Sequence, residues 1–584
     1  MGISVLPAFR FVSRGRPAVI AVLVCGVSAG AGAQRRTTAV PSMASDKTIV
    51  HVLNRIGFGP APGDLERVRS LGLAAYIDQQ LQPDRLTDER VTARLEGFTT
   101  LKMSTEDLAR EYYLPAQMLR RQAQRSQQNE PSMQPARPND PAMVPGNADS
   151  RKERSPEEMQ AQQAQRRVLG ELTQQKILRA AYSDKQLQEV MVDFWFNHFN
   201  VFVGKGQTRI YLTEYERDTI RPRVFGKFRD LLGAVAEAPA MLFYLDNWQS
   251  SAAEGTAMEQ PNAARGMRGR PGAPGRPGAA GRPGAAGRRG VNGRGMTSAD
   301  LPAAVQNRRP RGVNENYARE LMELHTLGVE GGYTQADVQE IARAFTGWTL
   351  TQPRQGGGFT FDPRMHDNGE KAVLGMKIKS GGGKKDGEQV LDLLAKHPST
   401  AKFIATKLAR RFVSDVPPQS LVDRAAARFR ETDGDIREVV RTIITSPEFF
   451  DTAAYRAKVK SPFEFVVSAV RASGADAFNG MPLVQAMRDL GMPLYGCQPP
   501  TGYADRADAW VNTGALLNRM NFAVSLSSGQ LRGVRTTPAM SDAWIASGAL
   551  AGDLSAPTRA TVARASAPPQ AVALLLGSPE FQRK

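Results

Sequence analysis

Residues 314–328, Asn-Glu-Asn-Tyr-Ala-Arg-Glu-Leu-Met-Glu-Leu-His-Thr-Leu-Gly, bring Glu315, Glu320, Glu323, Arg319 and His325 into about four helical turns. Glu320 and Glu323 stand three apart and share a neighbouring face. Two such carboxylates divide acid and base roles when burial separates their pKa values. A second concentration is Asp362-Pro-Arg-Met-His366-Asp367-Asn368-Gly369. An imidazole among carboxylates either ligates zinc, iron or manganese or works as an acid–base pair. The alternative is an Asx turn with a solvated histidine. A third is Asp193-Phe-Trp-Phe-Asn197-His198-Phe199. There Asp193 and Asn197 lie one turn apart, while His198 sits on the apolar face, the usual place of a core histidine.

The catalytic expectation is therefore Glu320, Glu323, His366 and Asp367, and the metal expectation is a divalent ion held by Asp193, His198, Glu320 and His366. Both require separate segments to converge. The same acids would otherwise form a buried network with Arg319 and the hairpin. Of the five histidines, His325 reads as a cation favoured at a helix C-terminus and His397 as structural; the role of His51 is open. The chain has no Gly-x-Ser-x-Gly, His-Glu-x-x-His, Cys-x-x-Cys or Gly-Lys-[Ser/Thr] motif. Gly381-Gly-Gly-Lys-Lys385 lacks the hydroxyl of a phosphate loop.

The positioning elements follow from periodicity. Asn314 suits an N-cap, Gly328 a left-handed C-terminal residue, and Tyr317, Leu321 and Leu324 form a stripe that should face a core. Asp184 to Phe199 is the strongest helix, with Leu187, Val190, Met191, Phe194, Trp195 and His198 on one face. Ser104 with Asp107, Thr334 with Asp337, and Ser461-Pro462 with Glu464 read as caps. Gly358–Phe361 and Ala372–Ile378 read as strands flanking the His366 loop. Ile443-Ile-Thr-Ser-Pro-Glu-Phe449 is echoed by Leu575-Leu-Gly-Ser-Pro-Glu-Phe581. The fold class is mainly α: a multi-helical globular protein with one small β-hairpin (358–378) and two disordered low-complexity insertions.

Of the 584 residues, the first 33 form a basic, then apolar leader ending Ala31-Gly32-Ala33, which reads as a signal peptide. Its removal takes Cys25 and leaves Cys497, a quiet structural thiol, with no disulfide partner. No later apolar run is long enough for a transmembrane span. The core is divided into helical parts 34–121, 166–259 and 313–450, with a C-terminal helical region 451–584. Between them lie a Gln/Pro-rich insert (122–165) and a collagen-like Arg/Gly/Pro insert (260–312). The net charge of +18 is concentrated in the second insert: eleven arginines against one acid, Asp300, leave it +10. The charge belongs to an insertion and not to the fold.

An ordered set of segments resembles the bacterial exported family known as domain of unknown function 1800. These are His51–Gly59, Trp195–Phe199, Asn314–Gly328, Gly332–Gln335, Thr346–Trp348, His366-Asp367, His397-Pro398 with Thr400-Ala401, Gly502-Tyr503 with Trp510, and the terminal Ser-Pro-Glu-Phe. The resemblance implies a secreted, largely helical protein, often encoded beside an exported sulfatase-like family. It carries no activity and no site residues.

Two functions are then open. One is an exported hydrolase, metal-dependent or carboxylate-based, acting in the cell envelope. The other is a non-catalytic scaffold that works with the co-exported partner or binds an anionic envelope polymer through residues 260–312. Nucleic acid is a poor partner, because the arginines are not interleaved with aromatics. Deleting Arg265–Arg294 separates the two. An enzyme should keep its turnover, whereas a polyanion binder should lose its retention on an anionic column.

Overall fold

The structure, a computed structural model, describes residues 39–128, 155–252, 312–536 and 541–584. The leader, almost all of the 260–312 insert and the centre of the 122–165 insert fall outside them. Ser45 accepts a hydrogen bond from the Thr48 amide and opens α1 (Asp46–Arg55). This helix buries Ile49, Val50, Val52 and Leu53, but also His51, Asn54 and Arg55. A helix buried on polar and apolar sides alike is an interior element.

Helix α2 (Leu114–Gln128) runs into the first insert, and α3 (Pro156–Tyr182) leaves it. The flanks of the polar stretch are thus helical, because Ser155-Pro-Glu-Glu158 forms a full capping box with proline at the first helical position. Helix α4 (Gln186–His198) buries all six residues of its expected stripe. The chain continues through α5 (Glu315–Glu320), α6 (Gln335–Ala344), α7 (Lys384–Lys396) and α8 (Pro398–Phe412). It ends with α9 (Pro462–Ser473), α10 (Thr513–Ser527) and short helices. The caps at Ser104, Thr334 and Ser461 form as the sequence requires. The two halves of the echo are alike, since Ser446 and Ser578 each accept from the amide three residues on, at 3.2 Å. Among the described residues no helix is long and apolar enough to cross a membrane.

The strands depart from expectation in their partners. β1 (Trp348–Leu350) pairs antiparallel with β2 (Phe359–Phe361), and β3 (Lys371–Val373) with β4 (Met376–Ile378). A third pair joins Asp476–Ala477 to Val534–Arg535. The run 372–378 closes on itself because Leu374 and Gly375 both take positive φ, 48° and 80°, the geometry of a two-residue hairpin turn. Residues 362–370 therefore link two sheets and form no hairpin tip.

That link folds inward. His366, expected in a loop, is fully buried. Its Nδ1 lies 2.8 Å from the Thr346 carbonyl and its Nε2 3.2 Å from Asp386 Oδ2 on α7. Lys371 Nζ donates to the same Asp386 oxygen at 2.7 Å and to the Asp367 carbonyl at 2.6 Å. Arg343 of α6 grips the Asp367 carboxylate through two bonds of 2.9 and 3.1 Å. Burying Asp386 raises its pKa, but His366 and Lys371 outweigh that and hold it below the usual range. Asp386→Ala would strand a buried lysine and is expected to cost about 3–5 kcal/mol. Urea unfolding measures it, and the double variant Lys371→Met/Asp386→Leu should lose much less.

Candidate functional site

Helix α5 carries the carboxylate pair. Asn314 caps it, accepting from the Tyr317 amide at 3.1 Å, and Gly328 ends the segment at φ 82°. After Glu320 the helix widens into a π turn, Leu321–Thr326, where Thr326 Oγ1 donates back to the Leu321 carbonyl at 2.8 Å. The extra residue shifts the buried face. Tyr317 and Leu321 are buried as expected, but Leu324 is only half-buried, and His325 with Thr326 fills the core instead. His325 is therefore no C-terminal cation: burial, with Lys407 nearby, lowers its pKa to about 3. Glu320 is half-buried, and burial followed by Glu323 raises its pKa, Arg319 opposing. The Tyr333 phenol is hydrogen-bonded to Glu323.

The expected sets do not assemble. No hydrogen bond or ion pair among the described residues joins Glu320 or Glu323 to His366 or Asp367, which are taken up by Asp386, Arg343 and Lys371. Nor is any group of three or more His, Cys, Asp or Glu among the described residues arranged to hold a metal. Of the four expected ligands, His366 has both ring nitrogens engaged, and Asp193 is paired with Lys176 at 3.0 Å.

The structure does bring Asp193 and His198 together, in a pocket of about 250 Å³ that Lys407, Arg410, Arg411 and Tyr503 also line. Helix α4 supplies one wall and α8 the other. Asn197 stitches the wall to the 497–510 segment, donating to the Tyr503 carbonyl at 2.8 Å and accepting from its amide at 2.7 Å. Gly502 must be glycine: φ is 73°, and a Cβ would stand 2.2 Å from the Asn197 carbonyl. Trp510 packs on Tyr503 with ring centroids 5.9 Å apart. His198 Nε2 lies 3.1 Å from the His325 carbonyl. A carbonyl only accepts, so Nε2 carries the proton and Nδ1 a lone pair without a partner. Burial and Lys407 keep this imidazole neutral. Cys497, behind the wall, is a quiet thiol, pushed up to about 11 by burial.

The pocket's carboxylates are all committed. Asp193 pairs with Lys176, Asp505 with Lys458 at 3.0 Å, and Glu464 with Arg411 and Lys584. Two of its cations, Lys407 and Arg410, are not. Lys407 makes no ion pair among the described residues and stands over the Phe403 ring at 5.4 Å. Burial, then Arg410, lowers it to about 8 against a weaker pull from Asp505. Arg410 donates to the Asp415 carbonyl and has no carboxylate partner among the described residues. Around Glu464 the imbalance deepens, since Arg55, Lys460 and Arg519 are buried as well. Arg55 Nε and Nη1, Arg411 Nη2 and Arg519 Nε have no partner. Burial lowers Arg55 to about 9, and Lys460 and Lys584 to about 7.

Sequence reading missed Lys407, Arg410, Arg411 and Arg55. A signal was present: Arg55 and Arg411 fall at buried positions of helices α1 and α8, where unpaired charge is rare. The segments that meet here include three that carry the family resemblance, Trp195–Phe199, Asn314–Gly328 and Gly502-Tyr503 with Trp510. The family model described as "Protein of unknown function (DUF1800)" matches residues 51–583, nearly the whole chain. No curated protein and no solved structure matches the chain.

Lys460 and Lys584 have folded-state pKa values near 7 against 10.5 unfolded. Between those values the unfolded chain holds protons that the folded one lacks, so stability should rise with pH across that window. Lys460→Met should flatten the rise and gain a few kcal/mol at pH 7. Urea midpoints at pH 7 and 9.5 test this; equal slopes in both proteins would exclude it.

Proposed function

The chain belongs to that family of proteins of unknown function, and on that premise we propose that it is an exported hydrolase working in the pocket between α4 and α8. The leader sequence supports export to the cell envelope. One observation carries the enzymatic reading: Lys407 faces a pocket without a carboxylate partner, beside Arg410 and two neutral imidazoles, at a pKa of about 8. An amine so placed is partly unprotonated at neutral pH and serves as a general base. The Lys407 amine takes a proton from water, the hydroxide adds to the ester, and the ammonium returns the proton to the leaving oxygen. Arg410 stabilises the negative charge that develops. A carboxylate pair at Glu320 and Glu323 has less support, because among the described residues only the Tyr333 phenol is bonded to it. A divalent metal lacks a ligand set among the described residues, so no step is routed through one.

A second reading, a non-catalytic scaffold, is favoured by the commitment of every pocket carboxylate to a cation. Such a protein would bind an anionic envelope polymer or a co-exported, sulfatase-like partner without turnover.

Lys407→Arg separates the two readings, since arginine keeps the charge but does not lose its proton. With a panel of nitrophenyl esters, the wild type should turn over at least one class, with kcat/KM rising with pH through about 8. Lys407→Arg should lose on the order of 10²–10⁴ in kcat with little change in KM. Wild type without turnover on any class, or a fully active arginine variant, would end the enzymatic reading.

A further inference from the structure

The same pocket has an excess of cations that its own carboxylates do not meet. Lys407 and Arg410 lie three apart on α8, one turn of the same face, and neither has a carboxylate partner among the described residues. Arg411, beside them, is buried; it pairs with Glu464 and still leaves Nη2 without an acceptor. Arg506 on the opposite side is held only by Asp508, in a pair where both side chains are more than 60 % exposed. Such pairs are worth little and exchange readily. Behind the wall Arg55, Lys460 and Arg519 add buried positive charge around Glu464, which Asp505 and Asp415 offset in part at Arg55. Buried guanidinium nitrogens without acceptors cost about 1–3 kcal/mol each, a cost that an incoming anion relieves.

The carboxylates that line the pocket are Asp193, Asp505 and Glu464, the first two each paired with a lysine and the third with Arg411 and Lys584, so their repulsion is damped. Phe194 and Trp510 on the same walls offer apolar surface for whatever carries the charge. A pocket of about 250 Å³ has room for more than a bare ion. The arginine-lined crevice at Arg67, Arg90, Arg94 and Arg471 contrasts with this, because each of its guanidinium groups already has an aspartate.

We propose that the pocket recognises a doubly charged oxyanion, a phosphate monoester group on the substrate, through Arg410 and Arg411. The recognised group is the anchor and need not be the bond that is cut. This deepens the hydrolase reading by naming the substrate class of the same site, and it rests on that reading only for the word substrate. Lys407 stays the base, one helical turn from Arg410 on α8.

The test is isothermal titration of the full chain at pH 7 in 0.15 M salt, with inorganic phosphate and separately with glycerol phosphate. The wild type should bind at least one with a Kd below about 1 mM, an ordinary range for a small anion in a built site. Arg410→Gln should weaken binding at least tenfold, and Arg410→Lys should stay within about threefold of wild type. Glycerol phosphate binding more tightly than inorganic phosphate supports a group borne on a substrate; inorganic phosphate alone binding overturns the substrate class. Wild-type binding absent, or indifferent to Arg410→Gln, overturns the site. The outcomes are separable from the hydrolase test. Phosphate binding without turnover leaves the anion site standing and ends the enzyme. Turnover that phosphate neither binds nor inhibits leaves the enzyme and ends the anion site.

Discussion

Much of the second half of this protein is organised around a single buried carboxylate, Glu464. It completes the capping box of α9 by accepting from the Ser461 amide at 2.9 Å, and it also holds Arg411 of α8 and the side chain of Lys584. The last residues are laid beside it by an antiparallel bridge, with Lys458 and Lys584 exchanging backbone hydrogen bonds. Burial alone would push the Glu464 carboxyl up, but Arg411 and Lys584 hold it well below the usual range. The attraction of several cations for one anion thus ties a helix start, a helix end and the chain terminus to one point. That arrangement is expensive to desolvate and stable only while every partner is present. It also sets where the pocket lies, since Arg411 and Glu464 line it together with Lys407 and Arg410 of α8.

Local rules of the sequence were legible where they depend on residues a few positions apart. The stripe of α4, the caps at Ser104, Thr334 and Ser461, the paired Ser-Pro turns and the mainly helical class all follow from spacing and side-chain chemistry. The partners of the strands did not, because two positive-φ residues at 374–375 turned one expected strand into two. The site was half legible. Asp193 and His198 do share a pocket, but the loop around His366 looked solvent-facing only because its partner, Asp386, is 20 residues away on another helix. Lys407 stood out in neither composition nor motif: its character comes from what surrounds it in space.

The pocket and the carboxylate helix are not strangers. The His325 carbonyl, at the end of that helix, fixes the tautomer of His198, so the segment that looked catalytic from its acids also contributes through its backbone. The residues that attract attention in a sequence are charged, whereas those that shape this cavity include an amide (Asn197), a glycine (Gly502) and a carbonyl. Each is defined by close approach and so is visible only once the chain has folded.

The π turn at Leu321–Thr326 divides one helical segment into two phases. Each of its backbone bonds spans one residue more than in a regular helix, so the residues before and after it face different neighbours. Before it, Glu315 meets Gln335 and Gln339 while Tyr317 and Ala318 are buried. After it, His325 and Thr326 turn inward. A regular helix over the same residues would advance each position by a different angle, and the carbonyl on which His198 depends would be aimed elsewhere. The surplus residue is a spacer that sets the aim of one backbone oxygen.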